Sequence, residues 1–360
     1  MVNKLKLHVV SNMYPSREAP TFGTFVKSSC DQLKKNGFII DLSVINNKKG
    51  NFFKKINRYL FFYFNVWKKE QIYNYDITYV HYISHSSVPL LFARKKNLLI
   101  LNVHGTDILP TSLKQRLFLP VVRKSLKKSD LIVVPSNYYK SVLEDRFSIT
   151  SKKIFISPSG GVNTDIFFSN GLRKKTRIST VAFISRIEKS KEWRTFLKAI
   201  TKLDSKKFEF IIIGSGSEKK LMMEKISHLR EKFKIDTYSA MKQTELSKIF
   251  NKIDVFVFPS RQESLGLLGI EAMACACPVI GADNEGIASY IEDGVNGYLF
   301  ETGDYVHLTK CLIKFGSQSE ETRKQMKFEA LKTAKKFESN RIGDKLGKKL
   351  KKLYDMRSYE

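Results

Sequence analysis

Twice in this chain an acid, four strand-forming apolar residues and a Pro-Ser pair follow one another: Asp130-Leu-Ile-Val-Val-Pro-Ser136 and Asp254-Val-Phe-Val-Phe-Pro-Ser260. An unbroken run of β-branched and aromatic residues reads as a strand covered on both faces, the condition of a parallel sheet between helices. Proline cannot donate to the ladder and ends the strand, and serine is a favoured helix opener. Each copy is therefore expected to end a buried strand and open a helix. The echo constrains the chain to two similar α/β domains rather than one large sheet.

Around the first copy, strands are expected at Leu5–Ser11, Phe38–Ile45, Ile77–His81, Leu98–Val103, Leu131–Val134 and Ile154–Ser157. Around the second they are expected at Ser179–Ser185, Phe208–Ile213, Phe233–Tyr238, Val255–Phe258 and Pro278–Gly281. The polar stretch Ser169-Asn-Gly-Leu-Arg-Lys-Lys-Thr-Arg177 between the two series reads as a linker. Near the end, Ile342, Leu346, Leu350 and Leu353 recur at helical spacing, opposite Lys345, Lys348, Lys349, Lys351 and Lys352. That face reads as solvated, with a membrane contact as the lesser alternative.

At 360 residues the chain can build two cores, and 42% hydrophobic with 27% charged residues is the balance of a soluble globular protein. No run reaches the roughly 18 apolar residues of a membrane span. The opening Met1-Val-Asn-Lys-Leu-Lys-Leu-His-Val-Val10 sets lysines into a strand-like alternation and offers no signal-peptide core. Cys30, Cys275, Cys277 and Cys311 lack the second pair of a zinc site and read as reduced, buried thiols of a cytoplasmic protein. The 63 basic residues against 35 acidic leave a net charge of +28, denser in the first half. Such a surplus favours anionic lipid or phosphorylated substrates; a nucleic-acid partner would need a reading module, and none is recognisable. A lysine-rich composition with no partner is the plain alternative.

The second Pro-Ser end continues Arg-Gln-Glu263-Ser-Leu265-Gly266-Leu267-Leu-Gly-Ile-Glu271. Glu263 falls in the turn, Gly266 lets the backbone bend, and Glu271 faces the same cleft from within the following helix. The unpaired N–H groups at that helix start suit an anion, and two carboxylates beside it suit sugar hydroxyls. Together they fit a nucleotide-sugar. Arg186 and Lys191 follow an earlier strand and would clamp a diphosphate, although in so basic a chain such a pair alone is more often solvated surface. His104-Gly-Thr-Asp107 ends Leu98–Val103, where open α/β sheets bind ligands, and Gly23 lies in the loop after the first strand. A structural histidine and an ordinary surface loop are the alternatives there. Gly214-Ser-Gly216 lacks the third glycine of a dinucleotide fingerprint and reads as a strand-ending turn. There is no Asp-x-Asp triplet to present a metal, so side-chain cations and the helix end would neutralise a leaving group.

Residues 52–69 are dense in aromatics. Phe52, Ile56, Tyr59, Leu60, Tyr63 and Trp67 group on one helical face and Lys54, Arg58, Asn65 and Lys69 on the other, with Phe61 and Phe62 widening the apolar side. Packing on its own sheet is the commoner reading. An interfacial helix meeting anionic lipid is the sharper one.

Taken together, these residues resemble the group 1, family 4 retaining glycosyltransferases of the GT-B fold. The likeness runs from Tyr14-Pro and Gly23-Thr-Phe through His104-Gly-Thr-Asp and Ser159-Gly-Gly-Val-Asn-Thr-Asp-Ile-Phe. It continues through Arg186, Lys191 and Glu263 to Glu271, and ends at Glu292-Asp-Gly-Val-Asn-Gly-Tyr-Leu-Phe300. It implies an α/β protein of two Rossmann-like domains facing each other across a cleft. An acceptor domain would occupy 1–168, a nucleotide-sugar domain 169–336, and a helix over 337–360 would return to the first domain.

The resemblance implies that Glu271 accepts from ribose hydroxyls, Glu263 meets the transferred sugar, and Arg186 with Lys191 holds the diphosphate. The backbone at Leu265, Gly266 and Leu267 would complete the anion site, with Gly23 closing from the first domain. His104 would sit beside the donor sugar and Asp107 on the acceptor side. No metal or other cofactor is implied. The donor would be a UDP- or GDP-sugar, the acceptor a glycan or lipid-linked glycan, and the location the inner face of the plasma membrane. The sequence departs from the family pattern at Ser185, Glu192, Leu265, Ala276 and Glu285. The alternative is a catalytically silent scaffold subunit, although the donor clamp is intact.

Overall fold

The computed structural model describes residues 4–19, 22–47, 49–93, 97–171 and 178–358. Its chain divides into two compact units, Met1–Gly161 with Ser339–Glu360, and Val162–Glu338. Most of the stretch expected to be a linker, 172–177, lies outside the described residues.

The first unit holds six parallel strands: β1 Lys6–Ser11, β2 Ile39–Val44, β3 Ile77–His81, β4 Leu98–Asn102, β5 Leu131–Val134 and β6 Ile154–Ile156. They lie in the order β2-β1-β3-β4-β5-β6. Alternate side chains leave the sheet on opposite faces, so each face has its own core. Val10, Val80, Leu101, Ile132 and Val134 pack with Phe62 and Val66 of the aromatic helix Phe52–Ile72. Leu7, Val9, Ile77, Tyr79, Ile100 and Val133 pack with Val26, Cys30 and Leu33 of the helix Thr24–Lys35, and with Leu346 and Leu350.

Those two leucines belong to the last helix, Ser339–Ser358, which returns to the first unit. The expected stripe is the buried one, but glycines set the approach. A Cβ on Gly343 would stand 2.7 Å from the Gln32 Cβ, and one on Gly347 would stand 3.0 Å from that of Asn36. Two glycines a helical turn apart let the helices touch backbone to side chain.

In the aromatic helix the buried stripe is Phe62, Val66 and Glu70, with Tyr59 and Tyr63 packed against the core. Phe52, Ile56, Leu60 and Trp67, grouped with the tyrosines from sequence, are exposed instead. The grouping failed because a buried carboxylate defines the packed face. Glu70 accepts from Thr78 at 2.8 Å and Asn97 at 3.2 Å and meets His8 Nδ1 at 2.5 Å. A buried acid is tolerated when such partners replace its water.

The second unit also has six parallel strands: β7 Ser179–Ile184, β8 Phe208–Ile213, β9 Ile235–Tyr238, β10 Val255–Phe258, β11 Val279–Asp283 and β12 Gly297–Glu301. Their order is β12-β11-β10-β7-β8-β9. Strand β12 was not expected from sequence. It starts at a glycine after a turn, and a Cβ on Gly297 would stand 2.2 Å from the Val279 carbonyl oxygen. All four cysteines are buried free thiols.

Both sheets change winding direction once. In the first, the chain goes outward from β1 to β2 and then crosses to β3 on the other side; in the second, β7 lies between β8 and β10. Ligands of open α/β sheets bind beyond the carboxyl ends of the strands at such points.

Candidate functional site

The loop leaving β7 at the switch point carries Arg186 and Lys191, and the loop leaving β10 carries Glu263. The fold brings the latter two together: Lys191 Nζ lies 2.5 Å from Glu263 Oε1, with the side chains only 14% and 18% exposed. A short, largely dehydrated ion pair is a strong interaction whose charges a ligand can rearrange. Arg186 stays exposed and meets Glu188 at 3.0 Å. The two loops are tied by the Arg261 N–H donating to the Ser190 carbonyl at 3.0 Å.

Two glycines read as a simple turn support the cation loop. A Cβ on Gly214 would stand 2.0 Å from the Ser185 oxygen, and one on Gly216 would stand 2.4 Å from that of Ile187. The Ile187 N–H donates to the Ser215 carbonyl. Glu192 adopts φ of 50° and Ala276 φ of 58°, two positions where the family pattern favours glycine. Side chains are uncommon in that left-handed region. Glu192 is held there by a 2.6 Å ion pair with Arg261 and a 2.8 Å bond from the Thr195 hydroxyl. Its acid is thus already neutralised beside the cation loop.

After Ser260 the chain does not enter a helix at once. The helix is Leu267–Ala274, and its cap Gly266 has φ of 78°. A Cβ there would meet the Phe258 ring at 2.9 Å. Leu265 turns its side chain into the core, leaving backbone at the helix start. Glu271 is half-buried on this helix and accepts from Gln243 at 3.3 Å. Burial pushes its carboxyl up to about 8, opposed in part by the Gln243 bond.

Asn284, which sequence reasoning missed, is buried and donates to the Ser260 carbonyl at 2.8 Å while accepting from the Gly286 and Ile287 N–H groups. Gly286 must lack a side chain, because its Cβ would lie 2.3 Å from the Glu263 carbonyl oxygen. Its place beside the noted departure at Glu285 was the available signal. Further along the sheet edge, Ile187, Gly214, Lys219, Met222, Thr237, Tyr238 and Ser239 line a pocket.

In the first unit, Gly23 has φ of 74° and packs on the Met13–Tyr14 backbone, 2.7 Å from where a Cβ would sit. His104 follows β4 half-buried, its Nε2 3.2 Å from His81 Nδ1 and its ring 4.4 Å from that of Phe25. Burial pushes His104 down to about 3 and His81 well below its ordinary value, aided by His104, so both imidazoles are neutral. Asp107 is buried and accepts from the His104, Gly105 and Ile83 N–H groups at 2.9–3.3 Å. Its carboxylate braces the His104 turn; burial raises it to about 6 against the pull of those bonds. Among the described residues, no three His, Cys, Asp or Glu side chains converge on a metal position.

Two family profiles cover nearly the whole chain: Glycosyltransferase Family 4 over residues 7–165 and Glycosyl transferases group 1 over 163–333. The chain is 26% identical over 246 residues to N-acetyl-alpha-D-glucosaminyl L-malate synthase of Bacillus anthracis, a match covering 64% of this chain and 62% of that relative's length. Its fold resembles sucrose-phosphate synthase of Thermosynechococcus elongatus at a TM-score of 0.79 and 16% identity, over 98% of this chain and 100% of that one. Anabaena HepE in complex with UDP superposes at 0.74 and 15% identity, over 97% and 100%. With its two doubly wound sheets, and the cation and carboxylate loops at the switch point of the second, the chain belongs to the group 1, family 4 glycosyltransferases.

Proposed function

We propose that the protein is a metal-independent, retaining glycosyltransferase, of hexosyltransferase type, using a nucleoside-diphosphate-sugar donor and a glycan or lipid-linked glycan acceptor of cell-surface polysaccharide synthesis. The Lys191–Glu263 pair at the β7/β10 switch point carries this reading. A diphosphate between Arg186, Lys191 and the N–H groups after Gly266 would meet positive charge from three directions. Glu271 would accept from ribose, and the pocket at Tyr238 would take the base. HepE, which shares the fold, binds UDP, and this favours a uridine donor over GDP.

In the proposed reaction the bond from the sugar C1 to the diphosphate oxygen breaks first, and the acceptor oxygen attacks C1 from the same face. The acceptor proton passes to the departing diphosphate oxygen. Leaving-group charge grows toward the transition state, where Arg186 and Lys191 act most strongly. Thermal-shift titration with UDP, GDP and ADP, without metal, tests the donor class. A shift with one diphosphate that Glu271→Ala abolishes supports it; no shift with any would favour the silent scaffold.

The location proposed is the cytoplasmic face of the plasma membrane. Phe53, Ile56, Leu60, Phe64 and Trp67 form a second apolar seam on the aromatic helix, with Phe53 74% and Leu60 60% exposed. Exposed Lys54, Lys55 and Lys68 accompany it, and the net charge of +28 matches an anionic bilayer. No helix among the described residues is long and apolar enough to cross a membrane. Flotation with vesicles containing phosphatidylserine should carry the protein upward at physiological salt. Protein remaining at the bottom would sink this location.

A further inference from the structure

His81 has no part in the reading above, yet it is buried, titratable and in contact with His104. The imidazoles lie nearly parallel, with centroids 5.4 Å apart, and one of the two facing nitrogens must carry the shared proton. His81 Nε2 is buried with no hydrogen-bond partner. That orphan decides between the tautomers. Were His104 Nε2 the donor, neutral His81 would carry its own proton on Nε2, burying an unpaired N–H. Were His81 Nδ1 the donor, Nε2 would carry only a bare lone pair. Orphaned buried N–H groups are rarer in folded proteins than unsatisfied buried acceptors, which favours the second arrangement. The Tyr79 ring, with its centroid 4.5 Å away, offers the N–H at most a weak acceptor.

We propose that His81 Nδ1 donates to His104 Nε2 and thereby fixes His104 as the tautomer with its proton on Nδ1. His81 is then a positioning residue, and His104 presents an N–H donor rather than a basic lone pair. This inference rests on the proposed function only in naming the recipient, a sugar hydroxyl oxygen of the donor. His104 would orient that oxygen, and it has no free lone pair with which to take the acceptor proton.

The test is long-range proton–nitrogen NMR of the full chain labelled at histidine, with signals assigned through His81→Asn and His104→Asn. A protonated Nδ1 on both His81 and His104 is expected. A protonated Nε2 on His104 would overturn the proposal. His81→Phe removes the donor and should release His104 into a mixture of tautomers; an unchanged His104 signal would also overturn it. His81→Asn keeps an N–H near Nδ1 and should hold the tautomer. In transfer assays His81→Phe should lose roughly tenfold in kcat/KM and His81→Asn should recover most of it. The NMR result needs no substrate, so failure of the tautomer assignment and failure of the proposed reaction are separable.

Discussion

The two Pro-Ser strand ends share a motif and differ in what comes next. In the first unit Ser136 is itself the cap of a helix, Asn137–Phe147, so no loop intervenes. In the second unit six residues separate Ser260 from the helix at Leu267, and they include Glu263 and Gly266. The turn at Glu263 and the helix start near Gly266 were expected from sequence; the direct entry at Ser136 is the contrast. The extra loop reaches back to the cation loop through Arg261 and Ser190 and is braced by Asn284. One strand end thus passes straight into its helix, whereas the other carries a six-residue, carboxylate-bearing loop first.

The switch points differ in the same sense. The edge in the second unit is charged, with Lys191 against Glu263 and Arg261 against Glu192. In the first unit the edge carries two uncharged imidazoles and Phe25 beside one carboxylate given over to backbone amides. Charge suits a diphosphate, and neutral donors suit hydroxyls.

The largest expected effect tests the charged edge. Lys191→Ala should lower kcat by about 10²–10³-fold, the cost of removing one stabiliser of developing negative charge. Steady-state kinetics showing a change in KM alone would assign Lys191 to ground-state binding. Glu271→Ala should weaken nucleoside-diphosphate binding by about 10–100-fold, read by calorimetry. His104→Ala should leave that affinity within about twofold while slowing transfer, because no charge is lost. Equal losses in both assays would erase the contrast between the edges.

A structural variant comes next. Gly214→Ala places a methyl against the Ser185 carbonyl and should cost about 1–3 kcal/mol in denaturant unfolding. The last effect is on pH dependence. Glu271 is raised from 4.5 to about 8, so between those values the native state binds the extra proton and the unfolded state does not. Its contribution therefore lowers stability as pH rises from 4.5 to 8, and Glu271→Gln should flatten that part of the thermal-stability profile. A wild-type slope that the variant retains would assign the dependence elsewhere.

Much of this was legible in the residues. Eleven of the twelve strands follow from apolar runs between turn signals, and the stripe through Ile342, Leu346 and Leu350 places the last helix against a core. Arg186, Lys191, Glu263 and Glu271 were nameable because their spacing around strand ends is local. Strand β12 was not, since it begins with a glycine that reads as a turn and is needed there for close pairing. Nor was the aromatic helix orientable, because hydrophobicity alone cannot reveal that Glu70 faces inward to meet His8.

Local order thus determined the elements, the two-domain plan and the identity of the charged side chains, because strand runs, turn breakers and helix starts are encoded within a few residues. Tertiary structure alone decided which charges neutralise each other, that Glu192 pairs with Arg261, and that Asp107 braces a turn. It also joined His81 to His104 and left the Phe53–Trp67 seam bare. These outcomes depend on residues distant in sequence, whose proximity and dehydration arise only when each sheet brings the loops at its own carboxyl edge together.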